Sequence, residues 1–140
     1  MPYRETWIER ANNPQHLTKH PDETMHRGRG SNPTCGDELI VYMEPKDGRI
    51  VRAEYAGVCC AVCKASAEAL CDEVRDLSVP EAKALVGAFR GALWRQESTE
   101  GLFRSELTPE LCDVAVVLPS RARCADLAWR IAEGILEGME

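Results

Sequence analysis

Three thiols, Cys59, Cys60 and Cys63, fall within five residues of Gly57-Val58-Cys59-Cys60-Ala61-Val62-Cys63-Lys64-Ala65-Ser66-Ala67, where a strand-like pattern gives way to a helical one. A thiol at a helix N-terminus feels the positive end of the helix dipole and exposed amide groups, which favour the thiolate, the form that binds metal or attacks sulfur. A lone cysteine is usually a small buried hydrophobe, but three this close weaken that reading. Cys35, in Asn32-Pro33-Thr34-Cys35-Gly36-Asp37, and Cys124, in Arg121-Ala122-Arg123-Cys124-Ala125, also lie at element boundaries. Such boundaries can converge at one end of a sheet, with Gly36 letting the backbone approach closely. Three thiolates and one carboxylate there would complete a four-coordinate site. Cys71 and Cys112 lie on apolar helical faces and are expected to pack in the core.

The chain has 140 residues, 44% of them hydrophobic and 29% charged, which fits one domain with a real core. A formal charge of -6, with no basic segment interleaved with aromatics, argues against a nucleic-acid partner. No apolar run approaches the ~20 residues that cross a bilayer, and the N-terminus is polar rather than shaped like a signal peptide. The expectation is a cytoplasmic protein without a membrane partner. In a reducing compartment, seven cysteines point to metal or thiol chemistry rather than to a disulfide scaffold.

The elements that must position these thiols read as follows. Residues 2–11, with Tyr3, Trp7 and Ile8 at helical spacing, predict a short amphipathic helix. From there to Thr34 the chain is polar and irregular, with room for at most a short edge strand. His16 and His20 have i,i+4 spacing, but Pro14 and Pro21 leave little helix to carry them, so His16, His20 and His26 read as solvated loop. Leu39, Val41 and Met43 alternate before Asp47-Gly48 and the run Arg49–Ala56, the clearest β-hairpin in the chain. Everything afterwards reads as helix. Residues 61–77 carry one apolar face, and Ser78-Val79-Pro80-Glu81 has the capping-box form that opens a second helix with Leu85, Val86, Phe89 and Leu93 inward. Pro109 suits the first turn of a third, ending near Leu118-Pro119. Ser120 is placed to cap the last, whose Ala125, Ala128, Ile131 and Ile135 form an apolar stripe. The predicted fold class is α+β: a small antiparallel β-sheet, the hairpin plus a possible edge strand, packed against several α-helices.

Three motifs in order, Asn-Pro-x-Cys-Gly-Asp, Gly-x-x-Cys-x-x-x-x-Ala-Ser-Ala and Arg-x-x-Cys-Ala-x-Leu-Ala-Trp, resemble the NifU/IscU/SufU family of iron–sulfur cluster assembly scaffolds. Tyr3-Arg4-Glu5 and Asn13-Pro14 resemble that family's first helix and following loop, so the likeness spans nearly the whole chain. The capped helix between Cys60 and Cys124, and Arg123 where IscU-type proteins have His, make the chain more similar to the SufU branch.

The resemblance implies a Zn²⁺ site of Cys35, Asp37, Cys60 and Cys124 with a charge of about -2, its thiols held deprotonated. It implies a pyridoxal-phosphate cysteine desulfurase of the SufS type as sulfur donor, and Cys35 as the acceptor that becomes a persulfide once a change of zinc ligand frees it. The protein is then a non-enzymatic acceptor that stimulates the desulfurase and passes sulfur or a cluster to downstream assembly or apo-proteins. Transient assembly of iron into a [2Fe–2S] cluster on Cys35, Cys60 and Cys124 is the competing occupancy. The chain departs from the family at Cys59, commonly Gly, and at Cys63, commonly Ser. The resulting Cys60-Ala61-Val62-Cys63 offers an alternative ligand, a persulfide relay or a reversible disulfide; otherwise Cys59 points away from the site and Cys63 is a buried stand-in for Ser. Arg123 is either a contact for a partner's sulfur or a solvated first-turn residue, and Arg121 and Arg123 flank Cys124 closely enough to stabilise its thiolate. A thiol-disulfide oxidoreductase using Cys60 and Cys63 is the alternative function, and a purely structural zinc domain is a third.

Overall fold

The computed structural model describes residues 3–139. Its elements run α1 (Tyr3–Asn12), β1 (His26–Asn32), β2 (Asp37–Lys46), β3 (Arg49–Val58), α2 (Ala61–Val74), α3 (Val79–Arg95), α4 (Leu107–Val117), a 3-10 turn (Pro119–Arg121) and α5 (Ala122–Glu137). The strands form one antiparallel sheet in the order β1-β2-β3, so the architecture is the expected α+β. Among the described residues no helix is long and apolar enough to cross a membrane.

The hairpin forms as its residues dictate. Leu39, Val41 and Met43 alternate into the core, and Asp47 (φ 53°) and Gly48 (φ 79°) make the two-residue turn whose positive dihedrals match the twist of the flanking strands. The edge strand β1 is longer than the sequence suggests, because its buried face carries almost no side chain. Gly28 and Gly30 lie under α5, and a Cβ added at Gly28 would stand 2.9 Å from Ile131 Cγ2 and from Ile135 Cγ1. Here helix side chains fill the space that strand side chains usually occupy, so no hydrophobic alternation marks the strand. The other edge is covered by residues 16–18: the Tyr55 N–H donates to the His16 carbonyl (3.1 Å), and the Thr18 N–H to the Tyr55 carbonyl (2.8 Å).

His16 therefore does not lie in solvated loop. It is buried with its imidazole Nε2 2.7 Å from Asp72 Oδ1, while His20 and His26 are exposed. In α1 the Trp7 side chain packs against the core; that of Tyr3 lies outside the described side chains.

The capping box of α3 is present: Ser78 Oγ accepts from the Glu81 N–H (3.2 Å) and Glu81 Oε1 from the Ser78 N–H (2.8 Å). Ser120 does not cap α5. It is taken up in the 3-10 turn, and Arg121 occupies the cap position with no side-chain hydrogen bond.

α5 is the central helix, packed on β1 and β2 and against α2 and α3. Trp129 is fully buried and stacks on Phe89 of α3, ring centroids 3.9 Å apart. Its Nε1–H donates to Ser66 Oγ on α2 (2.9 Å), and Ser66 Oγ donates to the Ala125 carbonyl on α5 (2.5 Å). One hydroxyl thus pins α2 to α5, the two helices that carry Cys60 and Cys124. Arg90 fixes α3 to α5 with a fork onto Asp126 (2.7 and 3.2 Å) and a bond to Glu133 (2.9 Å). Replacing Ser66 with Ala strands the indole N–H without a partner, and is expected to lower stability by about 1–3 kcal/mol, measured as a shift in the urea unfolding midpoint.

Candidate metal centre

The thiols meet where β2 begins and where α2 and α5 start. Asn32 ends β1, and the chain turns through Pro33–Gly36, with the Cys35 N–H donating to the Asn32 carbonyl (3.2 Å) and the Gly36 N–H to that of Pro33 (3.3 Å). Gly36 has φ 71°, but nothing lies within 4 Å of where its Cβ would be. Its role is conformational rather than one of close approach. The close approach is at Gly57 (φ 129°), opposite Leu39 in the ladder, where a Cβ would collide with the Glu38 carbonyl oxygen. That contact holds the end of β3 against the start of β2 and delivers Cys60 to Asp37.

Asp37 is completely buried and accepts the Cys60 N–H on Oδ1 at 2.7 Å. Cys60 is the N-cap residue of α2, and Cys124 is the third residue of α5, so both helices aim their positive ends at the cluster. Ligand atoms of Cys35, Asp37 and Cys124 all lie within 4.8 Å of one another, with Cys124 Sγ 3.0 Å from Cys35 Sγ. Cys60 is looser: its Sγ is 3.9 Å from Asp37 Oδ2 but outside the mutual spacing of that trio. Around a tetrahedral ion with bonds of about 2.3 Å, ligand atoms stand roughly 3.8 Å apart. The spacing of Cys35, Asp37 and Cys124 is thus compatible with one small cation, with Cys60 at the margin of the group.

The electrostatics agree with that. Burial raises the Cys124 thiol far above the ordinary thiol range, and the hydrogen bond it donates to Cys35, the interaction with Cys60, then the charges of Cys60 and Asp37, act in the same direction. A thiol this enclosed ionises only with a compensating positive charge, which a soft divalent ion would supply.

Two neighbours absent from the sequence-predicted set complete the site. The Asn32 amide, buried, donates from Nδ2 to Cys124 Sγ (3.3 Å) and toward Asp37 Oδ2 (3.4 Å). Arg121 Nη1 donates to Cys35 Sγ (3.4 Å), and hydrogen bonding to Cys124 together with the charges of Cys35, Cys60 and Cys124 raises the guanidinium pKa. Arg123, the residue directly before Cys124, is exposed and lines a separate depression with Arg90, Trp94 and Arg130. The arginine that faces the thiols is therefore Arg121. The Asn at the head of the first motif and the Arg opening the third were both visible, but nothing in their types told which way they turn.

The remaining cysteines divide cleanly. Cys71 and Cys112 are buried in the core, and burial pushes the Cys112 thiol up to about 12 and Cys71 well above its ordinary value. Cys63 is also fully buried and Cys59 is partly exposed, whereas Cys60 faces Asp37. The strands before α2 form an antiparallel hairpin, not the βαβ setting of thioredoxin-like C-x-x-C pairs.

Sequence comparison places this geometry in a family. The profile of the NifU-like N-terminal domain matches residues 2–88. The chain belongs to the NifU/IscU/SufU family. It is 28% identical over 144 positions to the iron-sulfur cluster assembly scaffold protein IscU of Thermotoga maritima, covering 98% of this chain and 94% of the relative. It is 27% identical over 104 positions to the zinc-dependent sulfurtransferase SufU of Bacillus subtilis, covering 74% of this chain and 69% of the relative. The crystal structure of an iron-sulfur cluster assembly scaffold for the SUF system from Fervidobacterium islandicum superposes with a TM-score of 0.81 at 22% identity, over 94% of each chain, which shows the shared fold.

Asn32 touches two of the candidate ligands without being one. Asn32→Ala is expected to weaken Zn²⁺ or Co²⁺ binding by roughly 10–100-fold, read by competition with a chromophoric chelator.

Proposed function

We propose that this protein is an iron–sulfur cluster assembly scaffold of the IscU/SufU type that works as a zinc-dependent sulfur acceptor, with Cys35, Asp37, Cys60 and Cys124 holding Zn²⁺. The observation that carries the reading is the convergence of Cys35, Asp37 and Cys124 within 4.8 Å, with Cys60 3.9 Å from the same carboxylate. When bound, zinc would offset half of the cluster's negative charge and hold its thiols deprotonated at neutral pH.

The three cysteines are not equivalent, and their surroundings support distinct roles. Cys124 is wholly buried, and Cys60 is tied to Asp37 through its own N–H. Cys35 is partly exposed, sits on the Gly36 loop and has a guanidinium at its sulfur. Cys60 is partly exposed as well, but of the two only Cys35 has an arginine Nη within 3.4 Å of its sulfur, which favours it as the thiol that receives an incoming persulfide's sulfur. Its thiolate attacks the outer sulfur of the desulfurase persulfide, the donor cysteine leaves as thiolate, and Cys35 retains the transferred sulfur as its own persulfide. Arg121 stabilises negative charge on Cys35 while this exchange takes place. The protein thus stimulates a partner cysteine desulfurase of the SufS type by removing its sulfur, and performs no turnover of its own. Helix α3 between the second and third thiols, together with Arg123 in place of His, supports the SufU branch. The same cysteines serve equally as ligands for a [2Fe–2S] cluster carried as cargo for apo-proteins, a reading that the name of the Thermotoga maritima relative favours.

Mixing the protein with a pyridoxal-phosphate cysteine desulfurase and cysteine, then mapping sulfur by mass spectrometry, tests the assignment. Persulfide is expected on Cys35 and absent in Cys35→Ser, and the purified protein should contain zinc without acid-labile sulfide. Persulfide confined to another cysteine would sink the acceptor role, and iron with equimolar sulfide in place of zinc would favour the cluster.

A further inference from the structure

β1 is an open edge of the sheet. It pairs with β2 on one side and, among the described residues, has no strand on the other, whereas the opposite edge of the sheet is covered by residues 16–18. An open edge presents backbone N–H and C=O groups with which a further extended chain can pair, and charge is the usual means of blunting it. Here the charge is all of one sign. Gly28 and Gly30 face α5, so the alternation of the strand puts Arg27, Arg29 and Ser31 on its other face, where the Arg27 guanidinium lies 5.1 Å from the centre of the Tyr42 ring. Beside the strand, Arg130 of α5 donates from Nη2 to the Ser31 carbonyl (3.4 Å).

These arginines are not spent within the fold. Carboxylates hold Arg10, Arg52, Arg90 and Arg95, but Arg27, Arg29, Arg123 and Arg130 are in no ion pair among the described residues. Uncompensated guanidinium groups gathered along one strip, in a chain with a formal charge of -6, suit that strip to a negatively charged partner. The strip is also hollow. Between β1 and α5 runs a depression of about 500 Å³ lined by the strand and by Arg130, Ile131, Gly134 and Ile135, and nothing lies within 4 Å of where a Gly134 Cβ would stand. Arg130 is shared with the depression of about 390 Å³ that contains Arg123 and the half-exposed Trp94 and reaches Asn32 and Pro33, at the start of the loop bearing Cys35.

We propose that the outer edge of β1 docks an extended acidic segment of a partner protein as a fourth strand of the sheet. The backbone of the segment pairs with that of β1, its acidic side chains at alternate positions meet Arg27 and Arg29, and the small apolar side chains between them rest on α5 at Gly134. Arg130 and Arg123 continue the positive strip toward Trp94, so one end of the docked segment lies beside the Cys35 loop. This docking is independent of the ion or sulfur that the metal centre carries.

The probe is a short fluorescein-labelled peptide that alternates Glu with Val or Thr. It is titrated with the full chain at low salt, binding is read by fluorescence anisotropy, and amide hydrogen exchange is compared with and without peptide. Saturable binding and slowed exchange at residues 27–31 are expected. Arg29→Glu, at an exposed position, should keep the parent's melting curve and bind about tenfold more weakly. The same peptide with alternate amides N-methylated keeps its charge but loses strand hydrogen bonds, and should also bind about tenfold more weakly. Absence of binding, an unchanged affinity in Arg29→Glu, equal binding of the methylated peptide, or protection elsewhere than β1 overturns the proposal. Tighter binding of a single-stranded oligonucleotide of equal charge does so too, as does an edge already protected without peptide in a chain whose sedimentation coefficient rises with concentration, which assigns the edge to a second copy. Because the peptide carries no sulfur, the result stands or falls separately from persulfide loading of Cys35.

Discussion

The site depends on a carboxylate buried where water cannot reach it. A buried carboxylate is tolerable only if donors or cations take up its lone pairs. Two other buried carboxylates in the fold are nearly saturated by such donors. Glu68 accepts the N–H groups of Gln15 (2.8 Å) and His16 (2.9 Å) and the Tyr55 hydroxyl (2.7 Å), and Glu73 accepts the N–H groups of Arg104 and Ser105 (both 3.0 Å) and the Thr108 hydroxyl (2.7 Å). These two residues of α2 tie down the loops before β1 and before α4. Asp37 differs. One oxygen is held by the Cys60 N–H at 2.7 Å, while the other has only a 3.4 Å amide and a 3.9 Å thiol. That under-satisfied oxygen, turned toward sulfur, sets Asp37 apart from the two structural anchors and leaves it free to act as a ligand.

Holding Asp37, Cys60 and Cys124 together is a packing problem spread over the whole core. α2 and α5 both start at the site, so their relative placement sets the distance between two of the sulfurs. The Ser66 hydroxyl locks that placement, taking the Trp129 indole and donating to the Ala125 carbonyl directly after Cys124, and the Phe89 stack with the Arg90–Asp126 fork adds α3 to the same block. The Ala-Ser-Ala and Ala-x-Leu-Ala-Trp parts of the motifs are therefore mechanical. They contain no ligand, yet they determine whether the ligands meet.

Much of this was legible from residue order alone. The hairpin, the capping box of α3 and the apolar stripe of α5 follow local rules that act within a few residues, so they could be read directly. The meeting of Cys35, Asp37 and Cys124 could be expected because each sits at an element boundary, whereas the looser position of Cys60 could not. What escaped was set by tertiary contact. β1 has no apolar alternation because its glycines make room for Ile131 and Ile135, and His16 is buried only because residues 16–18 pair with β3. The close approach belongs to Gly57 rather than Gly36, a difference visible only once β2 and β3 are in register. Cys63 is fully buried in the core while Cys60 is held at Asp37 by its own backbone hydrogen bond, a division that the C-x-x-C spacing alone does not reveal.

The same kind of argument separates Arg121 from Arg123. A cation at a helix N-terminus opposes the macrodipole, so two arginines flanking the start of α5 are unfavourable on local grounds. Arg123, inside the first turn, escapes by lying exposed. Arg121 ends the 3-10 turn, and from there its guanidinium reaches across to Cys35 on the neighbouring loop. Sulfur close by gives that guanidinium a partner which Arg123 lacks, so the two arginines that look alike in sequence part company at the helix start. The sulfurs differ too: Cys124 is wholly buried and takes the Asn32 amide, whereas Cys35 is partly exposed on the Gly36 loop and takes Arg121. Three cysteines that occupy similar places in three motifs therefore sit in unlike surroundings, because each is set by what the neighbouring elements bring to it and not by its own motif.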